Sequence, residues 1–221
     1  MKRHEMLRIL AERIAALPRA HPVRVAVDGI DAAGKTTLAD ELALALQSRG
    51  RPVIRASVDD FQRPRSERYQ RGPTSPDGYY LDAFDYPALK EALLLPLGPA
   101  GSRTYRRAVL DLRTDHPLSA PEEVAPGDAV LILDGVFLLR AELDKLWDYR
   151  IFVELPFEAA LQRARQRDTA LFGSEEAVRE RYAERYIPGQ RIYFKAARPR
   201  ERADAIVHNE HPQNPQLSFH G

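Results

Sequence analysis

No cysteine occurs among the 221 residues. That excludes a disulfide framework and any thiolate metal site, and makes a cytoplasmic setting the expectation. A charge excess of one sign is missing too. The 33 Lys and Arg face 32 Asp and Glu, for a net charge of +1, so nothing points to nucleic acid as a partner. No run approaches the roughly 18 apolar residues of a membrane span. The opening stretch MKRHEMLRILAERIAALPRAHP lacks the uninterrupted apolar core of a secretory leader. No membrane partner is expected. Asparagine is confined to Asn209 and Asn214, so no Asn-Lys-x-Asp guanine-reading motif exists. His208 and His211 lie close in sequence but have no third ligand nearby, and point to no metal. There is no internal repeat and no low-complexity segment.

What is present is an alternation of strand and helix signals, with 44% hydrophobic residues to build a core. Residues 3–17 read as an amphipathic helix, with Met6, Leu7, Leu10, Ile14 and Leu17 on one face. Apolar, β-branched runs at 23–28, 52–58, 129–134, 150–155 and 203–208 read as strands. Helices are expected at 37–50, 86–97, 137–147, 157–168 and 174–186. Residues 102–112 have the composition of an extended ribbon, and the tail 209–221 reads as irregular. This order implies an α/β three-layer fold, with a parallel sheet of about five strands flanked by helices. Residues 1–221 form one domain in this reading. Within it, 1–20 is an N-terminal helix, 59–112 an acceptor-binding region and 163–190 a helical lid with its adjoining helix.

Between the first strand and the first central helix stands GIDAAGKTT, which fits G-x-x-x-x-G-K-[ST]. The glycines let backbone amides turn inward around phosphate oxygens, and the following helix points its positive end at the same anion. The expected nucleotide-binding residues are Gly29, Ile30, Asp31, Ala32, Ala33, Gly34, Lys35, Thr36 and Thr37. Lys35 reaches the β- and γ-phosphates, and the Thr36 hydroxyl helps ligate Mg²⁺. Asp31 is a carboxylate inside an anion cradle, so it is expected to point outward or to cap the turn. Further along, VLILDG carries Asp134 at the end of an apolar strand, the pattern of a Walker B acid beside the metal. Glycine follows it, where a hydrolytic ATPase often has glutamate. In SVDDFQRP, Asp59 and Asp60 sit at the carboxyl end of the second strand, where open α/β sheets bind ligands. Either acid can accept the proton of an attacking hydroxyl. The polar, aromatic stretch 59–82 is long for a structureless loop, which suggests a functional one.

The phosphate loop, VDDFQR, GYYLDAFDYPAL, TYRRAVLDL, ILDGVF and LQRARQRD occur in that order. Together they resemble the uridine kinase-like family of P-loop kinases, related to pantothenate kinase and phosphoribulokinase, over about residues 23–208. The resemblance implies a P-loop NTPase fold, ATP with Mg²⁺, and transfer of the γ-phosphate to a hydroxyl of a small acceptor, a nucleoside first. It implies Asp59 as the catalytic acid and Asp60, Tyr80, Asp85 (or Asp82) and Tyr105 as acceptor contacts. It allows a homo-oligomer. The histidine–serine–arginine group that pyrimidine nucleoside kinases carry soon after the ribbon tyrosine is absent here, where RRAVLDLRTDHP stands instead. Pantothenate, nicotinamide riboside, a sugar phosphate and thymidylate are therefore alternative acceptors. Arg163 and Arg167, four apart on one helical face, are expected to clamp the transferring phosphate. Two other classes compete with a kinase: an NTP hydrolase, and a nucleotide binder without turnover. The glycine after Asp134 speaks against the first, and the intact Lys35, Thr36, Asp59 and Asp134 set against the second.

Overall fold

The computed structural model describes residues 1–220. Among them, six strands form one sheet: β1 (Val23–Gly29), β2 (Val53–Ser57), β3 (Val130–Gly135), β4 (Tyr149–Glu154), β5 (Ala205–His208) and β6 (Gln216–Phe219). The order across the sheet is β6-β5-β4-β1-β3-β2. The first five are parallel to one another, and β6 closes the edge antiparallel to β5. The five parallel strands are those the sequence predicts. The sixth corrects the reading of 209–221 as irregular: a turn closed by Asn214 N–H to His211 O lays Gln216 opposite His208.

The α-helices longer than a single turn are α1 (Arg3–Ala15), α2 (Lys35–Gln47), α3 (Pro76–Asp82), α4 (Phe157–Phe172), α5 (Glu175–Arg181) and α6 (Ile187–Ala197). Alternating side chains send the strands into two cores. Val23, Val25, Val27, Val130 and Ile132 face α1 and α2, where Met6, Leu10, Leu38 and Leu42 meet them. Ala26, Leu131 and Leu133 face the other way, onto Phe61, Tyr79, Leu93 and Tyr193. Between α5 and α6 the chain makes a π-helical turn, Tyr182–Tyr186. The helix therefore runs on past 186, where the sequence reading stops it. The wide turn shifts the hydrogen-bond ladder just before Pro188, which can then sit in the first turn of α6.

The helix expected at 137–147 does not form; only Asp144–Leu146 makes a 3-10 turn. Leu138, Leu139 and Leu143 are buried, and tertiary partners replace the helical ladder. Leu138 N–H goes to Asp28, Leu139 N–H to the Tyr193 hydroxyl, and the Trp147 indole N–H to Leu138 O. The stretch 59–82 folds into a 3-10 turn Val58–Phe61, a helical turn Arg65–Arg68, and α3, capped by the Ser75 hydroxyl. The ribbon is two short antiparallel pairs, Thr104–Tyr105 with Glu123–Val124 and Leu110–Asp111 with His116–Pro117. Among the described residues, no helix is long and apolar enough to cross a membrane.

Candidate active site

The carboxyl ends of β1, β2 and β3 gather the site. β1 ends on Gly29, where nothing larger fits: a Cβ there would stand 2.5 Å from Val153 O of the neighbouring strand. The loop then turns through positive φ at Ala32 (+58°) and Gly34 (+93°). Alternating handedness of this kind aims successive amides into one concavity, an anion nest. A Cβ on Gly34 would also lie 2.7 Å from the Asn209 amide nitrogen, and that nitrogen donates to Ala33 O at 2.7 Å. The first helical bond of α2 runs from Leu38 N–H to Gly34 O, so the amides of Lys35, Thr36 and Thr37 have no helical acceptor. Lys35 Nζ spans the loop to Ile30 O at 2.7 Å. Backbone cradle, helix start and buried ammonium together fit a polyphosphate.

Thr36 and Asp134 meet: the hydroxyl donates to Asp134 Oδ2 at 2.7 Å. The register puts Asp134 beside Val27 of β1 and Ser57 of β2. A hydroxyl and a carboxylate in contact next to the phosphate cradle are a hard-oxygen donor set that fits Mg²⁺. Arg55, which the sequence reading does not single out, bonds the other Asp134 oxygen at 2.9 Å and also the carbonyl of Ile132. The signal for it was an arginine inside an otherwise apolar strand, between Ile54 and Ala56.

Asp59 follows β2 and borders a cleft of about 230 Å³. Its Oδ1 accepts from Gln62 Nε2 at 3.1 Å. Asp59 is exposed to solvent, with protein close around its inner side. Burial raises its pKa above the usual aspartate value, with Asp31 and Asp134 adding to the rise and Gln62 and Lys35 opposing it. Asp60 is raised as well, by burial and then by Asp59, but it turns away from the cleft lining.

Asp31 departs from expectation. It neither points away nor caps its turn. It faces the cleft and accepts from Tyr79 Oη at 2.7 Å and from Gln190 Nε2 at 2.6 Å. Two neutral donors offset the local repulsion that made an inward acid unfavourable. Burial, then Asp31, keeps the Tyr79 hydroxyl protonated by raising its pKa well above the usual value. The aromatic wall is Tyr79 packed edge-on against Tyr186 at 4.9 Å, together with Tyr69, Phe84 and Phe172.

The other expected acceptor residues stand outside that lining. The Tyr80 carbonyl accepts from Arg140 at 2.5 Å, and the Tyr80 ring lies under that guanidinium. Asp85 caps the helical turn Tyr86–Leu89 through Ala88 N–H. Asp82 pairs with Arg71 at 2.7 Å. Tyr105 is buried in the ribbon and bonded to Glu123 and Arg107. The carboxylates of Asp82 and Asp85 and the hydroxyl of Tyr105 are taken by local partners, and the neighbours Tyr79 and Phe84 line the cleft instead.

Arg163 and Arg167 share one side of α4 but do different things. Arg163 donates to the carbonyls of Asn209 (2.6 Å) and Glu210 (3.1 Å), tying the β5–β6 turn to the phosphate loop. That differs from a side chain free to clamp phosphate. Arg167 holds both oxygens of Asp168, a pairing that raises its pKa. Both border a second groove of about 330 Å³ with Gly34, Thr37 and Asn209. Arg167 alone borders this groove and the Asp59 cleft.

No family model matches the chain. Uridine-cytidine kinase B of Dictyostelium discoideum is 27% identical over 201 residues, covering 85% of this chain and 74% of that protein. In structure, the chain is similar to a possible uridine kinase from Bacillus stearothermophilus (TM-score 0.72, 22% identity, 92% of this chain and 97% of that one). It is also similar to D-glycerate 3-kinase from Cryptococcus neoformans (TM-score 0.62, 14% identity, 99% of both chains). All three are described as kinases, and the similarity runs over most of the chain.

Proposed function

We propose, from the premise that this chain is a P-loop small-molecule kinase similar to the uridine kinases, that it moves the γ-phosphoryl group of ATP to a hydroxyl of an acceptor held in the Asp59 cleft. The observation that carries this is the position of Asp59. It follows Ser57, whose register partner Asp134 bonds Thr36, and it borders a walled cleft. A hydrolase needs only room for water there.

The loop amides and Lys35 hold the donor phosphates. Thr36 and Asp134 would hold Mg²⁺, which would supply neutralisation of the phosphate charge. Asp59 orients the acceptor hydroxyl. As the hydroxyl oxygen bonds to the γ-phosphorus, the bond from that phosphorus to the β–γ bridging oxygen breaks, ADP leaves, and the hydroxyl proton passes to Asp59. A modest base suffices, because the transition state is loose and the protein mainly positions groups and neutralises charge. Arg167, at the border of both cavities, stabilises the charge in transit. Residues 59–112 serve as the acceptor region and 163–190 as the lid. A nucleoside is the first acceptor to offer, since the relative from Dictyostelium is named for uridine and cytidine and the cleft has an aromatic wall.

The test is a transfer screen with Mg·ATP and uridine, cytidine, other nucleosides, pantothenate and sugar phosphates, read as phosphorylated product. Product with at least one acceptor, well above acceptor-free hydrolysis, is the expected result. Hydrolysis of the same rate with and without every acceptor would sink the proposal.

A further inference from the structure

The cleft is lined by three arginines and three aspartates, and Arg68 and Arg185 are the buried arginines among them. Three guanidinium groups surround the ring of Tyr69: Arg185 at 4.9 Å from its centroid, Arg68 and Arg181 each at 5.6 Å. Arg68 is 6% exposed and Arg185 2%. One carboxylate answers them, Asp115 on Arg68 at 3.1 Å. Arg185 is met by main-chain carbonyls, those of Gly72, Pro73, Ser75 and Arg68. Arg181 donates to the Tyr69 hydroxyl. Buried charges are ordinarily paired, because desolvation without a counter-ion is costly. Burial lowers the pKa of Arg185, and Arg181 beside it adds to that. Among the described residues, five buried side-chain polar atoms have no partner, and two of them are Nε of Arg68 and Nε of Arg181.

The acids that border the cleft are committed elsewhere. Asp31 accepts from Tyr79 and Gln190, and Asp168 holds Arg167. Asp59 accepts from Gln62, whose own Oε1 accepts from Arg68 at 2.7 Å. One side-chain amide therefore separates the catalytic carboxylate from the basic wall. A short molecule can reach both.

We propose that the acceptor is a small hydroxy compound bearing an anionic group, a carboxylate or a phosphate, which seats against Arg68 and Arg185 while its hydroxyl lies at Asp59. This rests on the kinase reading and narrows its acceptor from a neutral nucleoside to an anion. The anionic group is unchanged by the reaction; only the hydroxyl is phosphorylated.

Matched pairs test it on the full chain with Mg·ATP: glycerol against glycerate, fructose against a fructose phosphate, uridine against its 3′-phosphate, which keeps the 5′-hydroxyl free. The expected result is that an anionic member exceeds its neutral partner in kcat/KM by about 10- to 100-fold, the scale of charge-assisted hydrogen bonds. The pair that responds tells carboxylate from phosphate. Arg68→Gln should raise KM for that anion by about tenfold or more and leave KM for ATP unchanged. Arg68 also holds Asp115, so circular dichroism and thermal melting check the fold. Arg181→Gln, free of that tie, should shift KM the same way by less. Preference for the neutral member in every pair, or no change in KM in either variant, overturns the inference while transfer itself still stands. If no acceptor is phosphorylated, the kinase reading fails on this panel, and calorimetry decides the anion separately. Binding of the anionic members that Arg181→Gln weakens supports it, and binding of none overturns it.

Discussion

The two sides of the cleft are built in opposite ways. The donor side is one contiguous segment, 29–37, with a single strand end, Asp134, set against it by sheet register. Its amides are aimed by the backbone, through Ala32 and Gly34 at positive φ. The proposed acceptor side is assembled from a distance: Asp59 and Gln62 after β2, Tyr79 on α3, Tyr186 in the π-helical turn and Gln190 on α6. Its groups are aimed by side chains that hold one another. A backbone-built site tolerates change in its surroundings, whereas a side-chain-built site inherits every packing decision made around it.

The largest expected effect breaks the donor side. Lys35→Ala should lower transfer by about 10³-fold or more, since it removes the only ammonium in the cradle. The fold should survive, because Lys35 Nζ is bonded only to Ile30 O. Steady-state rates with a thermal melt check both. Near-normal turnover would remove the phosphate loop from the reaction. On the acceptor side, Asp59→Asn should lower kcat by about 10²- to 10³-fold with ATP affinity nearly unchanged, because the group acts on the hydroxyl in the transition state. The raised pKa of Asp59 should also appear as an acid limb of kcat/KM above the ordinary aspartate value, lost in the variant. Weaker ATP binding without a kcat effect would move Asp59 to the donor side.

This asymmetry explains what could be read from sequence. That Lys35, Thr36 and Asp134 come together was legible because it depends on spacing along the chain and on one strand pairing. The five parallel strands were legible for the same reason, as uninterrupted apolar runs. The acceptor wall was not. Tyr79 and Tyr80 are adjacent and chemically alike, and only the rotation of α3 turns one to Asp31 and the other under Arg140. Asp85 looked like a ligand acid and caps a helical turn. Asp31 looked misplaced in a phosphate loop because its partners, Tyr79 and Gln190, lie 48 and 159 residues away. The stretch 137–147 has helical composition, but its first residues are buried and their backbone amides are satisfied by Asp28 and Tyr193 instead of by a helical ladder.

Asp28 belongs to neither side and sits beneath both. It ends β1 next to Gly29, accepts from Leu138 N–H and from the Tyr193 hydroxyl of α6, and feels the charge of Lys35. Full burial raises its pKa from 3.8 to about 6, against the lowering by those partners. Between those two values the folded chain keeps a proton that the unfolded chain has lost. Its contribution therefore falls as pH rises through that window, and above about 6 the buried carboxylate costs the fold at most about 3 kcal/mol. Asp28→Asn removes the titration and keeps an oxygen to accept from Leu138. The stability of the variant relative to the parent, from urea midpoints at pH 4.5 and 7.5, should shift in the variant's favour by up to about 2 kcal/mol. Other titrating groups cancel in that difference. A gap that does not change with pH would mean that Asp28 stays charged throughout, held by Lys35, and so belongs electrostatically to the donor side.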